Sequence, residues 1–243
     1  LARGRTTIKN AAVEPEIKNL TEMLVKMGPR IDFDEPNRLM EVEGVPQLRG
    51  VKMAVIPDRN ELVSLALAAL ATGGEVLLKD VAAKHIGYFL EAIDKTGGYY
   101  EIQKKGILFK GVPEYKEIFL ETSAHPGFMT DWQQPFTVLL TQARGKSIIH
   151  ETIYEDRFGY TEDLNRMGAK ISVSKDCPAG SLCRFAGLEF GHVAEVAGPT
   201  PLAGRNIEMK DIRAGMAHIV AALAARGESV ISGVEHIDRG YER

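Results

Sequence analysis

ARGKSIIHETIYEDRFGYTEDLNRMGAKISV, residues 143–173, carries the pattern on which the fold turns. A small-basic-Gly triplet at Gly145 leads into an apolar strand through Ile148 and Ile149. An acidic–basic pair at Asp156-Arg157 follows, then a helical stretch ending at Met167-Gly168, then a second strand from Lys170 to Val173. The triplet returns as Ala-Arg-Gly at Gly4 and Gly227 and as Ala-Thr-Gly at Gly73, before strands at Thr6–Ile8, Val230–Ile231 and Val76–Leu78. Asp238-Arg239 lies as far beyond Gly227 as Asp156-Arg157 lies beyond Gly145, with Glu16 and His85 at the corresponding places in the other copies. Met27-Gly28 and Thr96-Gly97 repeat Met167-Gly168, again before strands, at Arg30–Phe33 and Tyr99–Ile102. Self-similarity on this scale marks supersecondary units that bury their sheets by packing on one another.

Working outward, Gly73, Gly145 and Gly227 follow Ala/Leu-rich stretches such as Ala214–Ala225 and read as helix C-caps in a left-handed conformation. The same helices open after Ile56-Pro57-Asp58, Met129-Thr130-Asp131 and Met209-Lys210-Asp211, where each aspartate is a good N-cap for about 14 to 16 helical residues. Pro135 then falls in a first turn, where proline is tolerated. Apolar edges such as Leu39–Val42 and Leu182–Leu188 close the units. The expected class is α/β, built of repeated βαβαββ units. The fourth copy stops at Arg243, a few residues into its helix, and the chain opens on Leu1 rather than Met, with Leu1-Ala2-Arg3-Gly4 reading as a helix end. We therefore expect a chain incomplete at both ends.

Composition excludes several classes. Of 243 residues 44% are hydrophobic and 26% charged, with a net charge of -3, so no basic field marks a general nucleic-acid or membrane-surface binder. No apolar run approaches the ~18 residues needed to span a bilayer, and no charged-then-apolar leader is present. Two cysteines, Cys177 and Cys183, argue against a disulfide scaffold and fit a reducing cytoplasm. Their spacing matches no zinc motif, and no His or Cys pair stands near them in sequence, so no metal site is expected.

Several strings go beyond architecture. Asn10-Ala11-Ala12-Val13-Glu14-Pro15-Glu16-Ile17, Pro57-Asp58-Arg59 and His125-Pro126-Gly127-Phe128-Met129-Thr130-Asp131 occur in that order. They are followed by Glu151-Thr152-Ile153-Tyr154-Glu155-Asp156-Arg157-Phe158, Arg166-Met167-Gly168-Ala169 and His236-Ile237-Asp238-Arg239-Gly240-Tyr241-Glu242. Together they resemble the UDP-N-acetylglucosamine enolpyruvyl transferases over nearly the whole chain. The resemblance implies two lobes, each an inside-out α/β barrel of three units. Residues 1–54 would be the last unit of the first lobe, and 55–243 the second lobe without its final helix and strands. It also implies transfer of the enolpyruvyl group of phosphoenolpyruvate to the 3-hydroxyl of UDP-N-acetylglucosamine with release of phosphate. That is the first committed step of peptidoglycan synthesis, a cytoplasmic addition–elimination that needs no cofactor and no metal.

By the same resemblance Asp131 binds the sugar hydroxyl and acts as its base, a task suited to a carboxylate in a closing cleft; read from the residues alone, it is a helix N-cap. Arg157, Arg213 and Arg239 would bind the carboxylate and phosphate of phosphoenolpyruvate through planar paired hydrogen bonds, where the plain alternative is pairing with neighbours such as Glu155 or Asp238. Asp211 would orient Arg213 or line that pocket, and the backbone of Ile153 would contact the uracil end of the nucleotide. Asn60-Glu61-Leu62-Val63-Ser64 departs from the family's Ile-Glu-Ala/Thr-Gly-Thr. Met129 stands where the family usually has proline, and Gln134-Pro135 replaces Ala-Gln. These departures bear on substrate preference. The reactive-cysteine loop belongs to the other lobe, so the missing lobe of the same chain is needed for turnover. Alternatives are a non-catalytic paralogue that binds UDP-sugars and a shikimate-pathway enolpyruvyl transferase.

Overall fold

The computed structural model describes residues 2–178, 183–209, 212–238, 240 and 241, with the backbone but not the side chain of Arg213. The chain divides into two compact units, Leu1–Pro57 and Asp58–Arg243. The first holds β1 (Arg5–Lys9), α1 (Pro15–Met27), β2 (Arg30–Asp34) and β3 (Leu39–Glu43). Its strands form an antiparallel sheet in the order β1-β3-β2. α1 begins on Pro15, whose missing N–H is one the first turn cannot use. It ends at Gly28, where φ is +126° and the amide bonds back to Val25.

The second unit opens with α2 (Arg59–Ala71), β4 (Glu75–Lys79), a 3-10 turn at Ala83–His85, α3 (Gly87–Thr96), β5 (Tyr99–Gln103) and β6 (Gly106–Lys110). Two short strands, β7 (Tyr115–Lys116) and β8 (Phe119–Glu121), precede α4 (Thr130–Thr141) and the long β9 (Ala143–His150). Then come α5 (Thr161–Arg166), β10 (Lys170–Ser174), β11 (Val193–Gly198), β12 (Asn206–Glu208), α6 (Ile212–Ala224) and β13 (Val230–Ser232). The repeat is visible as one strand order used three times: β1-β3-β2, β4-β6-β5 and β9-β11-β10. Within a copy the order is strand, helix, strand, strand, and the apolar helix leading to the next copy follows. Those helices, α2, α4 and α6, pack on one another in the second unit, and β4, β6, β9 and β11 of its sheets pack against them. α4 is buried from Trp132 to Thr141 although Gln133, Gln134, Thr137 and Thr141 line one side of it; Tyr160 bonds with Thr137 and Gln133 there.

Several expectations need correction. Asp58 does cap α2, accepting from the amides of Asn60 and Glu61 at 2.7 and 3.3 Å, but Asp131 does not cap α4. Met129 holds the N-cap position and Asp131 is already in the first turn, its carboxylate turned to other side chains. Pro135 is consequently in the second turn, inside the helix, and the amide it lacks is the one that Asp131's carbonyl would accept. Gly73 and Gly227 take positive φ after their helices, as expected, whereas Gly145 lies inside β9 at φ +106°, opposite Gly198. The left-handed φ inside a strand is what calls for glycine here; the Glu117 carboxylate, 2.5 Å from where a Cβ would sit, is the end of an exposed side chain that can move aside. The third copy keeps only six helical residues, in α5, because 153–160 is taken up by turns. No strand forms over the described part of 182–188; β11 closes that unit instead.

Candidate active site

The first turn of α4 and the loop after β9 meet at Asp131. The loop is shaped by Glu151, a fully buried carboxylate. It accepts from the hydroxyls of Thr122 and Thr130 at 2.9 and 2.8 Å and from the amides of Ile153 and Tyr154 at 2.8 and 3.0 Å. Four donors satisfy a charge that would otherwise be costly to bury, and they tie the loop to the start of α4. Asp156 then takes φ +49°, a left-handed conformation that aspartate tolerates, just before Arg157.

Arg157 donates to Asp131 Oδ1 at 2.7 Å, the two side chains being 17% and 20% exposed. Its guanidinium also stacks over Tyr154, 4.6 Å from the ring centre. The Nε of Arg157 is buried with no hydrogen-bond partner among the described residues, so the guanidinium keeps a donor beyond its tie to Asp131. The other carboxylate oxygen, Oδ2, accepts from Asn60 Nδ2 at 3.4 Å, and Asn60 Oδ1 accepts the indole N–H of Trp132 at 2.9 Å. Asp131 is thereby held from two sides, by the first turn of α2 and by the loop after β9.

A cleft of about 420 Å³ opens beside Arg157, with Tyr154, Tyr160, Asp163, Glu208 and His218 also in its walls; Asp131 is not among the residues that line it. That volume is in the range of small-molecule sites. His218 of α6 lies 3.1 Å from Asp163 of α5. Burial pushes the Tyr160 phenol far above its usual range. Tyr160 therefore stays protonated, donating to Gln133 at 2.8 Å and bonded with Thr137 at 2.7 Å.

Of the residues singled out in sequence, Asp131, Arg157 and Ile153 converge here, with Ile153's amide already given to Glu151. A ligand contact from Ile153 would have to use its carbonyl. Asp211, Arg239 and the side chain of Arg213 lie outside the described residues. Asn60 was visible only as a departure from a family string, yet it touches Asp131 directly. Val63, where the family has glycine, is a fully buried core residue. Cys177 and Cys183 are not isolated, as their sequence spacing implied: His150 and His192 stand beside them.

Asn60→Ala is expected to destabilise the fold by about 1–3 kcal/mol, because the buried Trp132 N–H loses its acceptor. Urea unfolding reads this directly. An unchanged midpoint would mean that water satisfies the indole.

The EPSP synthase (3-phosphoshikimate 1-carboxyvinyltransferase) family matches residues 1–243. The UDP-N-acetylglucosamine 1-carboxyvinyltransferase of Protochlamydia amoebophila is 46% identical over 242 residues, 99% of this chain and 52% of the relative. The protein of the same name from Chlamydia muridarum is 41% identical over 99% of this chain and 54% of its own. Among solved structures, the enolpyruvyl transferase NikO from Streptomyces tendae has a TM-score of 0.83 at 22% identity, covering 99% of this chain and 54% of that one. EPSP synthase from Acinetobacter baumannii has a TM-score of 0.68 at 19% identity, covering 99% and 55%. The chain spans about half the length of the curated relatives it matches. Its thrice-used strand order, its inner helices and its full-length family match have one conclusion: the chain belongs to the EPSP synthase (3-phosphoshikimate 1-carboxyvinyltransferase) family and has the enolpyruvyl transferase fold.

Proposed function

We propose that this chain is one wall of a cytoplasmic enzyme that transfers the enolpyruvyl group of phosphoenolpyruvate to the 3-hydroxyl of UDP-N-acetylglucosamine, releasing phosphate. The observation that carries the reading is the Asp131–Arg157 pair, a carboxylate and a guanidinium held 2.7 Å apart, with Arg157 in the wall of a cleft. The addition needs a base for the sugar hydroxyl and cations for an anionic partner. Asp131 accepts the hydroxyl proton as the oxygen attacks C2 of phosphoenolpyruvate, an enol phosphate, while its C3 methylene takes up a proton from the opposite wall or solvent to become a methyl group. Arg157, with Arg213 and Arg239, binds the carboxylate and phosphate; Asp211 orients Arg213, and Ile153 meets the uracil through its backbone. Loss of phosphate and of a proton from that methyl group of the tetrahedral adduct then leaves the enol ether of the product.

The names of the relatives at 46% and 41% identity favour UDP-N-acetylglucosamine as acceptor over 3-phosphoshikimate. In this reading residues 1–54 finish one lobe and 55–243 make most of the other, and the rest of the protein supplies the opposite wall. The test is phosphate release from phosphoenolpyruvate by the uninterrupted gene product, offered UDP-N-acetylglucosamine or 3-phosphoshikimate. Turnover is expected with the nucleotide sugar alone. Turnover with 3-phosphoshikimate instead moves the protein to the other acceptor, and binding of the nucleotide sugar without phosphate release makes it a non-catalytic paralogue.

A further inference from the structure

Between β10 and β11 the chain makes a long excursion, residues 175–192, far longer than the hairpin that could join two antiparallel neighbours. Cys177 and Cys183 lie on it, and His192 ends it. His150 is the last residue of β9, and the β9–β11 register sets it opposite Val193, next to His192. The two imidazoles are fully buried, with ring centres 5.8 Å apart. Nε2 of His150 is 3.2 Å from the Cys183 sulfur, and Nε2 of His192 is 3.2 Å from the Cys177 sulfur. All four donor atoms lie within 4.8 Å of one another. Neither cysteine is in a disulfide.

We propose that His150, Cys177, Cys183 and His192 form a structural Cys2His2 site for a single zinc-class divalent cation, which clamps this excursion onto the end of β9.

Three features distinguish the quartet from chance packing. First, the donor set is a closed tetrahedral one: two thiols and two imidazole nitrogens are the ligands of structural zinc, whose bond lengths of about 2.0 to 2.3 Å put neighbouring donors roughly 3.3–3.8 Å apart. Donors that here lie as much as 4.8 Å apart close by up to about 1 Å when the ion binds. Second, each histidine is oriented through its other nitrogen. Nδ1 of His150 is 2.8 Å from the Glu121 carboxylate and Nδ1 of His192 is 3.2 Å from the Phe190 carbonyl. An acceptor at Nδ1 holds the proton there and leaves the Nε2 lone pair pointing at the cysteines, the usual outer support of a metal-bound histidine. Third, the amide of Phe185 donates to the Cys183 sulfur at 3.3 Å, and Phe185 and Phe190 pack around His192. Such a shell favours a desolvated thiolate only where a cation neutralises it. Binding releases the two thiol protons to solvent and changes no oxidation state. The site lies next to Glu151, so it would also steady the loop that carries Arg157.

The test is metal analysis of the full chain purified without chelator under reducing conditions, followed by reconstitution with Zn(II) or Co(II). About one equivalent of zinc per chain is expected. The cobalt form should show the intense visible bands and thiolate charge transfer of a tetrahedral sulfur–nitrogen site. Cys177→Ser and Cys183→Ser should abolish both signals. Glu121→Gln, which leaves the ligands in place, should weaken affinity about 10- to 100-fold. In the unaltered protein, stripping the metal should lower the melting temperature and open the β10–β11 connection to protease. Folded, reduced protein that retains neither ion overturns the proposal. So does a Cys177–Cys183 disulfide, or thiols that react equally fast with and without Zn(II). Because none of these readouts is enzymatic, the site stands or falls separately from the transferase reading.

Discussion

Asp131→Asn is expected to cut turnover of the full-length enzyme by about 10²- to 10⁴-fold, the usual contribution of a positioned general base. Asparagine keeps the shape and an acceptor for Arg157, so the loop after β9 should stay folded. The loss of one charge-assisted bond costs roughly 1.5–3 kcal/mol of stability at most. What the variant loses is proton acceptance. The change should therefore fall on kcat, with the Michaelis constant for UDP-N-acetylglucosamine much less affected. Arg157→Lys is the companion: it keeps the charge but not the planar fork that reaches Asp131 at 2.7 Å while stacking on Tyr154. If the two residues work as a unit, the double variant will be little worse than the poorer single one. Turnover by Asp131→Asn within tenfold of wild type would remove Asp131 from the role of base and reduce it to a partner that orients Arg157.

The largest loss of stability is expected from Trp132→Ala. The indole is 1% exposed and meets Phe128 at 5.6 Å and Phe89 at 6.1 Å, both edge-on. It also underlies Arg59, whose guanidinium is 5.6 Å from the ring centre. Emptying such a position costs about 3–5 kcal/mol, a large share of the roughly 5–15 kcal/mol that holds a domain together. Trp132→Phe separates the contributions: it keeps most of the packing and loses only the bond to Asn60, so about 0.5–1.5 kcal/mol is expected. Equilibrium urea unfolding of both variants gives the comparison. A loss for Trp132→Ala below about 1 kcal/mol would mean that α2 and α4 collapse onto the cavity.

Much of the fold was legible because the features that specify it are local. Positive-φ glycines at Gly28, Gly73 and Gly97, a proline at the first position of α1 and an aspartate capping α2 each act on their own few residues of backbone. Repeating such marks is enough to identify a unit and count its copies. Asp131 and Arg157 stood out for the same reason, since each sits in a string that a family resemblance can match. Residues whose role depends on distant partners were misread or passed over. Asp131 looked like the cap that Asp58 is, because nothing near it in sequence announces that Met129 ends the loop or that Asn60 and Arg157 claim its carboxylate. Gly145 looked like a helix end because its left-handed φ, although set inside a strand opposite Gly198, leaves the same glycine mark after a helical stretch.

The cysteines give the sharpest contrast. By spacing alone they belonged to no ligand motif, since one histidine is the last residue of β9 and the other directly precedes β11. The β9–β11 register, a long-range backbone pairing, brings four donors within 4.8 Å. The repeat, the helix ends and the family strings could be read along the chain, because short-range sterics and capping write those into neighbouring residues. What Asp131 touches and where His150 meets Cys183 emerge on folding, because those contacts arise when strands pair and inner helices bury their apolar faces together.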